Sequence, residues 1–284
     1  MPEIDLHTHS TASDGTLSPT ELIKLAKTIG LKAIALTDHD TTKGLSEALK
    51  AGKKYGIEVI CGCELSVQFK GITHILGLWI DPKAPILNSA LEFLRNKRQE
   101  RNQKIIERLN KIGIKINYAE VKAKAKGTIG RPHIAQVLVE KKIAGSIQEA
   151  FNNFLGPKGK AFVPKEKFSP QKAISILKEE QATIILAHPF SLGLAEKEVT
   201  EAISYLKSIG LEGIEVYYSE HSPEQIAFYR NLAHKLGLLI SGGSDFHGAN
   251  KPHIKLGIGR GNLDIPYSLL EKLKNYRQRL GLEV

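Results

Sequence analysis

The side chains best suited to chemistry in this chain are imidazoles and carboxylates that recur along its length. His7 and His9 stand two apart, so on an extended strand end both imidazoles leave the same face. Asp14 follows in the next loop. His39 sits between Asp38 and Asp40, and Glu64, His74, His188, Asp245 and His247 come later. Neutral imidazole nitrogens suit Zn, Fe or Mn, while carboxylates admit harder ions and can bridge two of them. A His-X-His pair alone is weak evidence for a metal. The pattern gains force from where these residues fall.

Most of them close a short apolar run. Residues 3–6 read as a strand ending in His-Thr-His, and KAIALTDHD repeats the scheme with a strand from Ala33 to Leu36. IEVICGCE ends in Glu64, ATIILAHP carries His188, and LLISGGSDFH carries Asp245 and His247. HILGLWI departs from the rule, because His74 opens its run. LEGIEVYYS completes seven apolar strands. Amphipathic segments alternate with them. In SPTELIKLAKTIG, Ser18 is a candidate N-cap, Pro19 takes the first helical position, Glu21 lies three residues on, and Gly30 stops the helix. Strands interleaved with helices predict a closed or nearly closed parallel β/α barrel. Such barrels build their sites from strand C-termini, so most of these groups should converge.

Residues 88–166 break the rhythm. NSALEFLRNKRQERNQKIIERLNKIG predicts one long helix ended by Gly113, with shorter helices around Glu120–Lys126, Pro132–Lys142 and Ile147–Leu155. GPKGKAFVPKEKFSP is a loop that returns the chain to the barrel. Of the net charge of +10, nearly all lies here: residues 98–166 hold 15 Lys/Arg against 6 Asp/Glu, and the remainder holds 25 against 24.

HTHSTASDG, LTDHDT, GCE, HILG, AHP and GGSDFHG resemble, in order, the motifs of the PHP (polymerase and histidinol phosphatase) superfamily. Within it the chain resembles the stand-alone branch of 3′,5′-nucleotide bisphosphate phosphatases and related 5′-to-3′ exoribonucleases. The likeness spans nearly the whole length, including IGRPH in the basic segment. It implies a distorted (β/α)7 barrel over 1–97 and 167–284, with a small helical cap inserted at 98–166. It also implies three divalent metal ions of Mn, Fe or Zn. His7, His9, Glu64 and Asp245 would hold the first. Glu64 would bridge to a second completed by His74 and His188, and Asp14, His39 and His247 would hold the third. Outside that set, Asp38 is expected to orient an imidazole, Asp40 to cap a helix, and Cys63 to pack in the barrel.

Phosphate-ester hydrolysis needs a nucleophile, charge neutralisation and a proton for the leaving group. A water between two metals becomes hydroxide near neutral pH, so a bridging hydroxide is the expected nucleophile. Asp14 and His247 are the candidates for proton relay. In TIGRPHIAQ, Gly130 or Thr128 precedes a helix with Pro132 in its first turn. Arg131 would offer a phosphate fork and His133 another donor, against the alternative of an ordinary capped helix. Lys158, Lys160 and Lys165 could widen the positive surface, though each alone reads as solvated. His221 could touch substrate or enter a helix, and His234 and His253 read as structural or exposed.

The leading expectation is a phosphatase acting on a small nucleotide such as a 3′,5′-bisphosphonucleotide. A 5′-3′ exonuclease on short single-stranded RNA or DNA is the alternative, favoured by the basic cap's pull on polyanions. The cap has few aromatics to stack bases, Phe151, Phe154 and Phe162. Histidinol phosphate hydrolysis is a weaker enzymatic reading. A non-catalytic metal-binding module is the reading from another class, disfavoured because all nine ligand positions are intact. The absence of a leader pattern or apolar span points to the cytoplasm and away from a membrane, and no obligate protein partner is implied. Cys61 and Cys63 cannot build a disulfide framework.

Overall fold

In the computed structural model, which describes residues 2–124 and 129–284, the chain begins with β1 (Ile4–Asp5), α1 (Pro19–Thr28), β2 (Ala33–Leu36) and α2 (Leu45–Tyr55). β3 (Glu58–Val67) and β4 (Thr73–Leu78) follow, then α3 (Pro85–Lys111), α4 (Tyr118–Lys122), α5 (Arg131–Glu140) and α6 (Ile147–Ala150). The chain ends with α7 (Pro170–Glu179), β5 (Thr183–Leu186), α8 (Glu196–Ser208), β6 (Gly213–Tyr218), α9 (Pro223–Leu236), β7 (Leu239–Gly243) and α10 (Tyr267–Arg279). Two compact units result: Met1–Ala90 with Phe168–Val284, and Leu91–Lys167. Among the described residues no helix is long and apolar enough to cross a membrane.

The first unit holds a seven-stranded sheet in the order β1 to β7. Its helices begin where the sequence signals them. At α1 the Ser18 side chain accepts from the Glu21 N–H, Glu21 answers at the Ser18 N–H, and Leu22, Ile23 and Ala26 form the buried stripe. The sheet curls into a nearly closed barrel. The Leu6 N–H reaches the Gly242 carbonyl at 3.2 Å, and the Asp245 N–H reaches the His7 carbonyl at 2.8 Å. This seam requires glycine: a Cβ at Gly243 would lie 2.4 Å from both Cβ and N of His7. Ile4, Leu6, Ala33, Ile60, Leu76 and Ile185 belong to the buried core.

The expectation of an all-parallel barrel is corrected at one strand. β4 runs antiparallel to both β3 and β5, whereas the other pairs are parallel. Only residues 68–72 separate β3 from β4, too few for the crossover that a parallel pair needs. The reversal accounts for His74. The start of β4 lies beside the end of β3, where His74 pairs with Ser66.

The second unit packs its own core from Ile105, Leu109, Val121, Ile134, Leu138 and Leu155. α4 ends at Lys122, sooner than the sequence suggests, and Lys126 and Thr128 lie outside the described residues. The helix expected over Ile147–Leu155 is α-helical to Ala150 and then widens into a π turn over Phe151–Leu155. Gly130 is the N-cap of α5, and its N–H donates to His133 Nδ1 at 3.1 Å.

Candidate metal centre

The strand ends of the first unit bring the nine expected residues together. Among the described residues, three sets have ligand atoms within 4.8 Å of one another: His7, His9, Glu64 and Asp245; His9, Asp14, His39 and His247; and His39, Glu64 and His74. His188 joins through Nε2, 2.9 Å from Glu64 Oε1, which also lies 2.8 Å from His74 Nδ1. Glu64 Oε2 faces His39 Nδ1 at 2.9 Å and the Nε2 atoms of His7 and His9 at 3.3 Å each. Asp245 Oδ1 stands 3.1 Å from His9 Nε2. Asp14 is the solvent-facing member, with Oδ1 3.3 Å from His247 Nε2 and its side chain 56% exposed.

The backbone is bent to achieve this. His188 and Asp245, just past β5 and β7, have φ of +28° and +58°, a region side-chain-bearing residues rarely occupy. Left-handed residues held at strand ends are a common companion of functional sites.

The donor set fits divalent ions on two observations. Nε2 of His7, both ring nitrogens of His9, Nδ1 of His39 and Oε2 of Glu64 are buried without a hydrogen-bond partner. Orphaned buried polar atoms are costly, and a cation between them would satisfy them together. Several rings are also oriented from behind. His247 Nδ1 donates to the Asp245 carbonyl at 2.8 Å, leaving Nε2 facing Asp14. His188 Nδ1 meets Ser191 Oγ at 2.8 Å, and that hydroxyl donates to the Ile72 carbonyl, so His188 is the donor and its Nε2 faces Glu64. Fixing one ring nitrogen in this way presents the other as a ligand.

Electrostatics bind the cluster together. Burial alone would keep His9 neutral, but Asp245 and Glu64 outweigh it and raise its pKa to about 9. His7 is likewise held well above its ordinary value, burial being overcome by Glu215, Glu64 and Asp245. Burial would raise Glu64 and Asp245, yet the surrounding histidines, His39 and His7 foremost for Glu64 and His7 for Asp245, hold both well below the usual carboxylate range. Asp14 is also depressed, its burial outweighed by His247, His39 and His9.

Other expected residues fall elsewhere. Asp38 orients no imidazole: it accepts from the Ser10 N–H at 2.8 Å, Ser10 Oγ at 2.7 Å and Ser13 Oγ at 2.6 Å, pinning the loop that leads to Asp14. Asp40 caps no helix: Gly44 is the N-cap of α2, and Asp40 accepts from the Ser66 N–H and Oγ on β3. Cys63 is fully buried, with Sγ 3.5 Å from the Asp38 carbonyl. His221 is buried, donating from Nδ1 to the Val216 carbonyl, while His234 and His253 are exposed. In the second unit, Arg131 Nη1 donates to the Leu155 carbonyl at 3.0 Å and its guanidinium lies 5.4 Å from the Phe151 ring centroid. Lys158 and Lys160 are exposed and Lys165 is half-buried.

Three residues at the centre were not expected from the sequence, among them Lys251, whose Nζ lies 2.6 Å from Asp245 Oδ2. Glu215 contacts His7 Nδ1 at 3.0 Å and the His188 N–H at 2.7 Å. Tyr218 donates its hydroxyl to Asp245 Oδ2 at 2.8 Å. The signal was present: a carboxylate stands in the middle of the apolar run LEGIEVYY.

Fold and site together define a barrel hydrolase whose chemistry depends on bound metal. The PHP domain family model matches residues 5–235, and the chain belongs to that family. It is 37% identical over 244 residues to a 5′-3′ exoribonuclease of Haemophilus influenzae, a match spanning 86% of this chain and 89% of that one. To a 3′,5′-nucleoside bisphosphate phosphatase of Chromobacterium violaceum it is 34% identical over 250 residues, spanning 87% and 88%. A solved structure from Bifidobacterium adolescentis, assigned as a metal-dependent phosphoesterase, superposes with a TM-score of 0.76 at 30% identity over 96% of each chain. The chain is a metal-dependent phosphoesterase, a hydrolase of phosphoester bonds.

Proposed function

We propose that this enzyme removes phosphate from a small nucleotide, with a 3′,5′-bisphosphonucleotide as the favoured substrate, at a centre of three divalent ions. The buried nitrogens and oxygen around Glu64 that make no hydrogen bond carry the reading. His7, His9, Glu64 and Asp245 would hold one ion. Glu64, His74 and His188 would hold a second, and Asp14, His39 and His247 a third, with Mn, Fe or Zn suited to such mixed donors. When bound, the ions would supply Lewis acidity toward the phosphoryl oxygens and an activated water.

The chain's own residues do the rest. Glu64 turns one oxygen to His74 and His188 and the other to His7, His9 and His39, so it holds the donor sets in register. Asp14 is the member most open to solvent, which suits its carboxylate to pass a proton toward the leaving oxygen, while His247, with Nδ1 on the Asp245 carbonyl and Nε2 at Asp14 Oδ1, holds that carboxylate in place. His133 uses Nδ1 as the acceptor for Gly130, which leaves its Nε2–H free to donate to a phosphate, while Arg131 can offer the part of its fork that Leu155 does not use. The likeness to the Chromobacterium violaceum phosphatase supports a bisphosphate substrate.

A second reading keeps the centre and lengthens the substrate to a short 5′-phosphorylated RNA or DNA strand. It is favoured by the likeness to the Haemophilus influenzae exoribonuclease and by the 15 basic residues between 98 and 166. Metal-reconstituted protein is offered adenosine 3′,5′-bisphosphate and 5′-phosphorylated oligonucleotides, and orthophosphate and mononucleotide are measured separately. Orthophosphate from the bisphosphate upholds the first reading. Mononucleotide release with no action on the bisphosphate replaces it with the second.

A further inference from the structure

Glu215 lies in β6, is fully buried, and has no lysine or arginine partner among the described residues. A carboxylate taken out of water costs several kcal/mol unless its oxygens are well used, and an isoleucine or valine would fill a barrel strand without that cost. Both oxygens are used on metal-ligand candidates. Oε1 accepts from His7 Nδ1 at 3.0 Å, so that ring turns Nε2 toward Glu64 Oε2 and Asp245 Oδ1. Oε2 accepts the backbone N–H of His188 at 2.7 Å, the residue whose φ is +28°. One carboxylate thus fixes the ring of one histidine and the strained backbone of another.

The strand is shaped for this. Residues three apart on a regular strand face opposite sides, yet Glu215 and Tyr218 both reach the centre, one behind His7 and the other at Asp245 Oδ2. The register of β6 on β7 shifts between Glu215 and Tyr217, where Glu215 pairs with Ser241 and Tyr217 with Gly242. The extra residue, Val216, makes a bulge, and bulges re-aim side chains in this way.

We propose that Glu215 is a positioning residue that sets the metal affinity of two positions at once, the one His7 serves and the one His188 serves. The proposal rests on the reading of these histidines as ligands. Gln in its place has the same shape but one acceptor for two donors, so one contact becomes an N–H facing an N–H while the other loses the carboxylate's charge, and both positions are weakened. Loss of such an outer partner typically weakens metal binding by about 10–100-fold.

The test measures metal, not turnover alone. Wild type, Glu215→Gln, Glu215→Asp and a remote core truncation, Leu273→Ala, are stripped and titrated with Mn2+ against a chelator, with ions per chain counted by mass spectrometry. Melting of each metal-free protein records the loss of stability. Both Glu215 variants should lose two of the bound ions to about 10–100-fold weaker binding. The ion at Asp14, His39 and His247 should persist, and kcat should recover at high Mn2+ with KM unchanged. Leu273→Ala should melt lower with its ions retained. Unchanged ion binding in Glu215→Gln, weakening at a single position, or equal weakening in Leu273→Ala overturns the proposal. A wild type that binds no ion overturns the ligand reading itself.

Discussion

Stripping the metal and raising the pH should destabilise this protein. His9 is fully buried, and although burial favours the neutral ring, Asp245 and Glu64 raise its pKa from 6.5 to about 9. A group whose folded pKa lies above its unfolded value contributes stability that is complete below about 6.5 and is lost as the pH climbs through about 9. A gap of about 2.5 units, at about 1.4 kcal/mol per unit, amounts to about 3.5 kcal/mol. His7, raised by Glu215, Glu64 and Asp245, adds to the loss in the same direction. At about 2.1 cal/mol/K of unfolding entropy per residue, about 1 kcal/mol moves the Tm of a 284-residue chain by a little under 2 °C, so the fall should be about 6 °C. Thermal denaturation of chelator-treated protein at steps from pH 6.5 to 9.5 reads it directly. Metal-loaded protein should resist the fall, because ions bind deprotonated imidazoles and displace protons as they enter. On the acid side, Glu64 and Asp245 are depressed, so their contribution is complete above the ordinary carboxylate range and is lost as the pH drops through their folded values. A metal-free Tm that stays level or rises between pH 6.5 and 9 would refute the reasoning.

Asp14→Asn and His247→Ala should each lower kcat by about 100-fold or more with the fold intact, as loss of proton transfer and of ligands at one position would require. Orthophosphate release alongside circular dichroism checks this. Arg131→Gln should raise KM for a bisphosphonucleotide by about tenfold or more while sparing turnover of a small monoester, and parallel steady-state kinetics separate the two. Gly243→Ala puts a Cβ 2.4 Å from His7 Cβ and N, so it should cost about 1–3 kcal/mol and reduce metal retention. Chemical denaturation and metal analysis of one preparation test that pair of effects.

Much of this was legible because period and terminus carry the signal. Apolar runs ending in His, Asp or Glu revealed the strands and the ends where the site would form, and Ser18 with Glu21 marked α1 as it stands. The reversal of β4 was missed because hydrophobicity does not encode strand direction. The five-residue link over 68–72 did encode it, and His74 opening its run was the visible symptom. Asp40 looked like a cap because it precedes a helix, but capping depends on backbone geometry. With φ of +49° it turns back to β3 and accepts from Ser66. Glu215 was visible as a carboxylate inside an apolar run, but its placement was not, because it depends on a one-residue register shift in β6 and on partners 208 and 27 residues away.

The proposed chemistry of these imidazoles and carboxylates depends on their holding metal. The most direct measurement follows orthophosphate release from adenosine 3′,5′-bisphosphate while Mn2+ is titrated into stripped wild type and stripped Glu64→Gln, with bound ions counted at each step. No release is expected without metal, with release rising as the wild type fills the three proposed positions, and Glu64→Gln should lose ions and activity together because Glu64 faces His7, His9, His39, His74 and His188. Full activity in stripped wild type, or a Glu64→Gln protein that fills and turns over as the wild type does, would contradict it.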